Sequence, residues 1–546
     1  MATLPQKDPG YIVIDVNAGT PDKPDPRLPS MKQGFNRRWI GTNIDFVYVV
    51  YTPQGACTAL DRAMEKCSPG TVRIVSGGHC YEDFVFDECV KAIINVTGLV
   101  ESGYDDDRGY FVSSGDTNWG SFKTLFRDHG RVLPGGSCYS VGLGGHIVGG
   151  GDGILARLHG LPVDWLSGVE VVVKPVLTED SVLKYVHKDS EGDDGDLFWA
   201  HTGGGGGNFG IITKYYFKDL PMSPRGVIAS NLHFSWDGFT RDALQDLLTK
   251  YFKLARCDWK NTVGKFQIFH QAAEEFVMYL YTSYSNDAER EVAQDRHYHL
   301  EADIEQIYKT CEPTKALGGH AGWAPFPVRP RKRHTSKTSY IHDETMDYPF
   351  YALTETINGS GPNQRGKYKS AYMIKDFPDL QIDVIWKYLT EVPDGLTSAE
   401  MKDALLQVDM FGGEIHNVAW DATAVAQRKY IIKLQYQTYW QEEDKDAVNL
   451  KWIRDFYEEM YEPYGGVPDP NTQVESGKGV FEGCYFNYPD VDLNNWKNGK
   501  YGALELYFLG NLNRLIKAKK LWDPNEIFTN KQSIPTKSLK EYKQTK

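Results

Sequence analysis

The sequence predicts an α+β protein of two domains, in which the second domain is an antiparallel sheet covered by helices. Residues 44–75 alternate strand, helix and strand, and after Pro221 long polar-faced helices mix with short aromatic strands. The 546 residues include 41% hydrophobic side chains, enough to bury cores of this size. We expect domains over residues 1–221 and 222–478, followed by a closing segment over 479–546.

The first domain opens with the strand DFVYVVY. Thr52 and Pro53 then start a helix, the turn Ser68-Pro69-Gly70 ends it, and TVRIV follows as the next strand. Further strands are predicted in KAIINVTG, GYFVSSG and LSGVEVVVKPV. Between the last two, a helix aligns Trp119, Phe122 and Phe126 on one face and stops at Gly130.

In the second domain, helices are predicted over residues 239–256 and 286–309. Aromatic strands are predicted at GKFQIFH and EFVMYLYTSY. The closing segment contains ELYFLGNLNRLIKAKKLWDPNEIF, which we interpret as one helix stopped by Asp523 and Pro524.

Charge and composition exclude several classes of partner. The net charge is -13, which disfavours nucleic acid and anionic membranes as partners and leaves a small molecule as the expected ligand. The N-terminus lacks a signal-peptide pattern, and no apolar run approaches the roughly 20 residues that span a bilayer. We therefore expect a soluble chain, with an extracellular location and a homodimer both left open.

Neither cysteines nor sequons indicate a disulfide-rich secreted scaffold. Eight cysteines are too few for such a scaffold at this length, and none forms a CxxC pair. Two Asn-x-Ser/Thr sequons occur, at Asn95 and Asn358. Asn95 lies in an apolar run expected to be a buried strand, which leaves Asn358 as the candidate glycan site.

Three glycine clusters stand out: SGGHCYEDF, PGGSCYSVGLGGHIVGGG and TGGGGGNFGIIT. Glycine lets backbone amides approach a ligand closely. No Lys-Ser/Thr pair follows any cluster, so none is a P-loop. Gly205, Gly207 and Gly210 match a dinucleotide fingerprint, but the β-rich IITKYYF follows where that fingerprint requires a helix. A flexible linker is disfavoured by the embedded histidines, cysteines and aromatic residues.

His79 and Cys138 each lie within a glycine turn. Taken singly, a core histidine and an inert buried thiol are the more common interpretations. Zinc binding by a set that also includes Cys80 and His146 is disfavoured, because the ligand spacing is not compact. We predict no metal site.

Four motifs in order, SGGHCYEDF, PGGSCYSVGLGGHIVGGG, TGGGGGNFG and CYFNYPDVDL, resemble the bicovalent FAD-linked oxidases of the vanillyl-alcohol-oxidase superfamily. The specific similarity is to the berberine-bridge-like branch that includes glucooligosaccharide oxidase, and it covers nearly the whole chain. The resemblance implies a PCMH-type FAD-binding domain formed by residues 1–221 and the returning 479–546, a substrate-binding domain over 222–478, and covalently bound FAD. It also implies sugars and O2 as the small-molecule partners.

The resemblance assigns His79 to the 8α-methyl carbon of the flavin and Cys138 to its C6 position. Both carbons lie on one edge of the ring system, so these two residues are expected to converge. The remaining cofactor-binding positions that it implies are Ser76, Gly77, Gly78, Cys80, Gly135, Gly142, His146, Gly149, Gly150, Gly210, Ile211 and Asn511.

For catalysis, the resemblance implies oxidation of a sugar C1 hydroxyl to a lactone, with O2 reduced to H2O2. Tyr488 matches the tyrosine base and Asp409 the acidic residue that assists it. The implied substrate contacts are Tyr81, Asp152, Tyr372, Gln407 and Tyr485. From the residues alone, these tyrosines would simply pack and Asp409 would cap a turn.

Two alternatives remain beside the carbohydrate oxidase. One is a flavin-dependent dehydrogenase or secondary-metabolite oxidase on the same scaffold. The other is a sugar-binding protein whose aromatic second domain stacks on pyranose rings, and such a protein would have no use for the pair His79 and Cys138.

Overall fold

The computed structural model of the chain contains three β-sheets, each built from strands that are consecutive in the sequence. The residues that it describes are 9–16, 25–309, 341–357, 363–472 and 479–544.

The first sheet carries the predicted strand–helix–strand unit. Its strands are β1 (Tyr11–Asp15), β2 (Phe46–Val50), β3 (Val72–Val75) and β4 (Ala92–Asn95), in the order β1-β2-β4-β3. Strands β2 and β3 both pair with β4 in parallel, while β1 is antiparallel to β2. Helices α1 (Leu28–Met31) and α2 (Pro53–Lys66) belong to this part of the chain. Thr52 caps α2, because its hydroxyl accepts from the Gly55 amide at 3.0 Å.

The second sheet is antiparallel throughout. It contains β5 (Ser102–Asp105), β6 (Gly109–Ser113), β7 (Gly168–Val173), β8 (Val182–His187) and β9 (Ile211–Phe217), in the order β5-β6-β9-β7-β8. Its connections hold α3 (Asn118–His129), α4 (Leu143–His146), α5 (Ala156–His159) and α6 (Gly192–Ala200). Gly130, at φ 64°, ends α3 as predicted. Because the third glycine cluster leads into β9, the dinucleotide fingerprint is indeed misleading.

The third sheet is a seven-stranded antiparallel sheet. Its strands are β10 (Gly226–Ser235), β11 (Thr262–Phe269), β12 (Glu275–Tyr284), β13 (Ile341–Pro349), β14 (Arg365–Met373), β15 (Leu405–Met410) and β16 (Ile432–Trp440). They run in the order β13-β10-β12-β11-β15-β16-β14. The helices of this region are α7 (Arg241–Arg256), α8 (Asp287–Lys309), α9 (Phe350–Thr356), α10 (Asp379–Thr390) and α11 (Asp446–Met460).

Helices cover one face of the third sheet. Leu244 and Leu247 of α7 share a hydrophobic core with Phe266 of β11 and Met278 of β12. The opposite face carries polar side chains, which form part of the site described below. This antiparallel sheet covered by helices confirms the predicted fold class.

The closing segment differs from the single helix that its sequence predicts. It forms α12 (Lys500–Phe508), α13 (Leu512–Trp522) and α14 (Leu539–Gln544), and the break before α13 falls at Leu509, whose φ is 47°. At this break the Gly510 backbone lies against Trp420, where a Cβ would approach the indole to 2.8 Å. A tertiary contact therefore coincides with the interruption, and local helix propensity did not reveal it.

The segment then returns to the N-terminal half of the chain. Ile527 and Phe528 are buried in one hydrophobic core with Leu60 of α2 and Ile94 of β4. Asn95, at the end of β4, is 8% exposed, which agrees with a sequon lying in a buried strand. Asn358 lies outside the described residues. None of the helices in the described ranges has the length and apolar character needed to cross a bilayer.

Candidate active site

A cavity of about 820 Å³ is lined from all three sheets and by all three glycine clusters. One end is bounded by glycine-rich backbone and the other by the polar face of the third sheet. Residues 485–489 of the returning segment line the cavity as well. Parts of the chain that are far apart in sequence therefore meet around a single chamber.

The glycine-rich wall is built by backbone packed on backbone. A Cβ on Gly142 would lie 2.2 Å from the Gly77 amide nitrogen, and one on Gly77 would lie 2.4 Å from that of Gly142. A Cβ on Gly144 would approach the Ser114 carbonyl to 2.7 Å. Ser76 donates from its hydroxyl to the same carbonyl at 2.7 Å. Only glycine allows these loops to lie so close, and the result is a wall of exposed main chain suited to an elongated ligand.

His79 and the Cys138 loop lie beside each other in this wall. The His79 ring stacks on Phe35 with 5.0 Å between ring centres, and its Nε2 lies 3.0 Å from the Ser140 hydroxyl, two residues after Cys138. Burial lowers the pKa of His79 to about 4, so its imidazole is neutral at physiological pH. Cys138 is a free, half-buried thiol that lines the same cavity. The wall thus presents two nucleophilic side chains from separate motifs.

Two rows of polar side chains cross the third sheet at the other end of the cavity. In one row, Gln267 pairs with Gln407 and Gln407 with Gln435 across β11, β15 and β16. In the second row, Lys265 pairs with Asp409 and Asp409 with Lys433. Residues two apart on a strand share a face, so both rows point into the cavity.

Hydrogen bonds join the two rows. The Gln267 amide donates to Gln407 Oε1 at 2.9 Å, and the Gln407 amide donates to Asp409 Oδ2 at 2.8 Å. The other carboxylate oxygen of Asp409 is buried and has no hydrogen-bond partner within the described chain.

Lys433 is the buried cation of the site. It forms an ion pair with Asp152, and its Nζ lies 3.8 Å from Asp409 Oδ2. Burial disfavours the charged ammonium, but Asp152 and Asp409 outweigh burial and raise the pKa of Lys433 above its usual value. Burial also raises the pKa of Asp409, and Lys433 and Lys265 offset part of that effect.

Tyr488 stands over this charged group. Its ring lies 4.9 Å from Tyr485 in an edge-to-face arrangement and 5.7 Å from Tyr81 in a stacked one. Burial raises the pKa of Tyr488 well above its usual value, and the charge of Asp409 raises it further. In the protein alone, Tyr488 is therefore a protonated phenol, and any role as a base requires a nearby cation.

Most of the residues implied by sequence line the cavity. These are Ser76, Gly77, Gly78, His79, Cys80, Tyr81, Cys138, Gly142, His146, Asp152, Gly210, Gln407, Asp409, Tyr485 and Tyr488. The remaining implied residues lie behind the cavity wall: Gly135, Gly149, Gly150, Ile211, Tyr372 and Asn511.

Asn511 requires a correction, because its side chain does not approach the cavity. Its amide donates to the carbonyls of Trp420 and Thr423, at 2.9 and 3.2 Å, and so ties down the loop that contains them. The asparagine side chains that the closing segment brings to the cavity are Asn487 and Asn530. The predicted role of Asn511 in cofactor binding is therefore not supported by its position, whereas Asn487 and Asn530 lie where a ligand could contact them.

Ile211 and Tyr372 are also core residues. Ile211 is fully buried in the hydrophobic core, and strand alternation brings Ile212 to the cavity in its place. Tyr372 is 1% exposed and stacks on Tyr430 with 5.0 Å between ring centres. Tyr485 packs edge-on against Tyr372 and lines the cavity instead.

The three remaining glycines shape the wall from behind. A Cβ on Gly149 would overlap Asn487 Oδ1, so this glycine makes room for the Asn487 side chain, which donates to the His146 carbonyl at 3.0 Å. Gly135 packs on the His146 ring, and Gly150 packs on Val425. Their effect on the cavity is indirect.

Sequence reasoning missed several residues of the lining. The most important are Lys433, Gln435, Gln437 and Tyr439 of β16, together with Lys265, Tyr368 and Asn487. The segment IKLQYQTYW alternates apolar and polar residues from Ile432 to Gln437. This alternation predicts a strand with one solvated face, but it does not show that the face lines a cavity.

The lining fits the FAD that the resemblance implies. A side-chain-free wall suits close approach to a pyrophosphate, and the neutral His79 and the thiol of Cys138 are both nucleophiles of the kind that a covalent link needs. Lys433, Asp409 and Tyr488 supply acid–base groups in the adjoining part of the same chamber.

Comparison with known proteins agrees with this fit. The family profile "FAD binding domain" matches residues 58–175, and "Berberine and berberine like" matches residues 484–535. The chain is 31% identical over 520 residues to the aclacinomycin-N/aclacinomycin-A oxidase of Streptomyces galilaeus, which covers 92% of this chain and 87% of that protein.

Solved structures give the same result. A glycopeptide hexose oxidase complexed with teicoplanin is 29% identical with a TM-score of 0.79, covering 96% of this chain and 98% of that one. Aclacinomycin oxidoreductase is 27% identical with a TM-score of 0.79, covering 96% and 99%. With its glycine-walled cavity, its matched FAD-binding segment and these full-length similarities, the chain belongs to the berberine-bridge-like family of FAD-linked oxidoreductases.

Proposed function

We propose that this protein is a hexose oxidase. It oxidises the C1 hydroxyl of hexoses such as glucose and galactose, free or at the reducing end of a disaccharide, to the lactone, and O2 is reduced to H2O2. The observation that carries the proposal is the polar floor beside Tyr488, where Gln407 and Gln435 adjoin Asp409 and Lys433.

An amide floor suits a sugar. Each glutamine side chain both donates and accepts hydrogen bonds, and every hydroxyl of a pyranose does the same. Gln435 donates to the Tyr81 hydroxyl at 3.2 Å, which connects the floor to an aromatic wall on which a pyranose ring can pack. The glutamines bond to one another, to Asp409 and to Tyr81, and an apolar substrate would leave their remaining hydrogen-bonding capacity unused.

His79 and Cys138 would hold FAD covalently, and the glycines around Gly77 and Gly142 would receive its diphosphate. When bound, FAD supplies a hydride acceptor whose electron pair can pass on to O2. The protein must then bind the sugar with C1 facing that acceptor and remove the hydroxyl proton.

Tyr488 is the residue proposed to take that proton. Its phenol must give up its own proton first, which burial opposes. Lys433, with its Nζ 5.1 Å from the ring centre, favours the phenolate electrostatically. Asp409 lines the cavity, and its carboxylate would accept from a hydroxyl of the sugar and so fix the ring.

One observation favours a second candidate, an oxidase of glycosylated natural products. Beyond the amides, the cavity continues along Tyr279, Tyr281 and Tyr348 to Leu353 and Ile357. This aromatic and apolar extension would suit an aglycone. Two similar proteins, an aclacinomycin oxidase and a glycopeptide hexose oxidase, are named for substrates of that size.

The test is peroxide release and anaerobic flavin reduction with a panel of hexoses, disaccharides and aromatic glycosides. Free hexoses should reduce the flavin, and O2 should reoxidise it with one H2O2 per sugar. Reduction by glycosides alone would establish the second candidate, and reduced flavin that O2 reoxidises only slowly would identify a dehydrogenase. Acid-precipitated protein should remain yellow; a colourless pellet would refute covalent attachment.

A further inference from the structure

Three tyrosines of the cavity are stacked in series. The rings of Tyr368 and Tyr81 are nearly parallel, with 3.6 Å between their centres and 12° between their planes. The Tyr81 ring then stacks on Tyr488 at 5.7 Å and 28°. These residues come from β14, from the first glycine cluster and from the closing segment, so no local structure holds them together.

Each of these tyrosines has charged residues close to it in sequence. Glu82 follows Tyr81, Lys367 and Lys369 flank Tyr368, and Asp490 and Asp492 follow Tyr488. Because side chains alternate along a strand, the two lysines of β14 point away from the face that carries Tyr368. The charges therefore meet behind the wall whose front is formed by the rings.

These charges form one buried cluster. Lys367 pairs with Glu82 and, at 2.7 Å, with Asp490, while Lys369 contacts Asp490 at 2.7 Å and Asp492 at 2.9 Å. Side-chain exposure is 1% for Lys367 and for Glu82 and 2% for Asp490. Arg454 of α11, whose side chain is 46% exposed, contacts Asp492 at 2.7 Å from the solvent side and brings the cluster to three cations and three carboxylates.

Such a cluster contributes little to stability, so its value to the protein has to lie elsewhere, and fixing geometry is the role that we argue for. Buried ion pairs gain little over apolar packing, yet each charge must keep its partner at contact distance. Here each of the three chain segments contributes at least one member. Moving any of the segments would separate buried opposite charges.

We propose that this cluster, consisting of Glu82, Lys367, Lys369, Asp490, Asp492 and Arg454, is the positioning element of the active site. It sets the mutual position of the Tyr81, Tyr368 and Tyr488 rings and hence the reach of the Tyr488 hydroxyl. The catalytic consequence rests on the proposed function of Tyr488, whereas the geometric consequence does not.

The test compares three variants of the holoenzyme. Lys367→Met leaves the cluster with excess negative charge, and Glu82→Gln/Lys367→Met restores the balance. Lys174→Met is the control, since it breaks a buried 2.7 Å pair with Asp61 that does not line the cavity. Flavin reduction by glucose should be about tenfold to a hundredfold slower in Lys367→Met, with KM changed far less, and its pH profile should move to higher pH.

The balanced double variant should recover much of the lost rate. Lys174→Met should lower thermal stability but keep the wild-type rate and pH profile. If Lys367→Met retains the wild-type rate of flavin reduction and the wild-type pH profile, the proposal is wrong. Should that variant not fold, Glu82→Gln and the double variant provide the same comparison, because an unchanged rate and pH profile in both would equally refute the proposal.

Crystallography tests the geometric role of the cluster separately from its catalytic consequence. A crystal structure of Lys367→Met should show the Tyr81 and Tyr488 rings displaced relative to Tyr368 by about 1 Å, a shift large enough to affect rate, whereas Lys174→Met should keep the wild-type ring positions. If no sugar reduces the flavin of the wild-type enzyme, the proposed function is wrong, and the ring positions in the crystal structures alone test the positioning role. Rings that superpose on the wild type would then overturn the positioning role.

Discussion

The ammonium group of Lys433 lies 5.1 Å from the centre of the Tyr488 ring. Lys433 and Tyr488 are 55 positions apart in sequence, with Lys433 on β16 and Tyr488 in the closing segment. Neither local sequence indicates that the two side chains meet. Their proximity places a positive charge beside a buried phenol, which favours the phenolate form electrostatically. Lys433 is itself kept charged by Asp152 and Asp409.

Lys433→Met should therefore impair the proton step. Without the cation, the pKa of Tyr488 rises further, so the limb of the pH–rate profile that reports the base should move to higher pH. At neutral pH, we expect flavin reduction by glucose to slow by about tenfold, the value of one cation–π contact. Stopped-flow reduction across a pH series measures both effects. Asp152→Asn/Lys433→Met, which removes the excess negative charge, should recover part of the rate; no recovery would count against this electrostatic account.

Tyr488→Phe should separate binding from chemistry. The variant should retain covalently bound flavin but be reduced about a hundredfold more slowly or worse, the usual effect of removing a general base. Tyr436→Phe is a matched control, because the Tyr436 hydroxyl is buried against Tyr461 on the other face of β16. A near wild-type reduction rate in Tyr488→Phe would assign the base elsewhere.

Cys138→Ala should leave flavin attached through His79 alone. Acid-precipitated protein should stay yellow, and the redox potential of the flavin should fall below that of the wild type. His79→Ala/Cys138→Ala should give a colourless pellet, whereas Cys257→Ala should behave as wild type because Cys257 is outside the cavity lining. Spectroelectrochemical titration measures the potential, and an unchanged value in Cys138→Ala would remove Cys138 from the attachment.

Buried histidines predict the acid sensitivity of the fold. Burial lowers the pKa of His201 to about 4, compared with about 6.5 in the unfolded chain. The unfolded chain therefore binds the proton more tightly, so stability is unaffected above about pH 6.5 and is lost as the pH falls toward 4. The difference corresponds to about 3 kcal/mol of unfolding free energy when complete.

His201→Gln, which cannot titrate, measures this contribution. Urea unfolding at about pH 7 and about pH 4.5 should show a smaller acid-induced loss of stability in the variant, by about 2–3 kcal/mol. An equal loss in both proteins would mean that His201 does not titrate as its burial implies.

The local sequence pattern predicted secondary structure correctly where interactions within a single segment determine it. The Thr52-Pro53 start of α2, the Gly130 stop of α3 and the strand after the third glycine cluster were all predicted, because caps, glycine and alternation act within a few residues. The closing helix was not predicted correctly, since its break at Leu509 accompanies a contact with Trp420, almost ninety positions earlier.

The same division holds for the site. The glycine clusters, with the resemblance they carry, led to His79, Cys138 and Tyr488, and all three line one cavity. Asn511, Ile211 and Tyr372 were predicted to lie at the cofactor or substrate, but they are not part of the cavity lining. One residue of offset on a strand, or one ring packed in front of another, is enough to move a side chain from the cavity to the core.

By itself, the sequence determined the fold class and the glycine-rich turns, because these depend on local pattern and backbone freedom, and its resemblance to FAD-linked oxidases pointed to His79 and Cys138. Only the tertiary structure decided that Lys433 faces Tyr488 and that the charges beside three tyrosines meet in one buried cluster. Both arrangements depend on strand register and on the return of the closing segment, which bring together side chains that no local pattern relates.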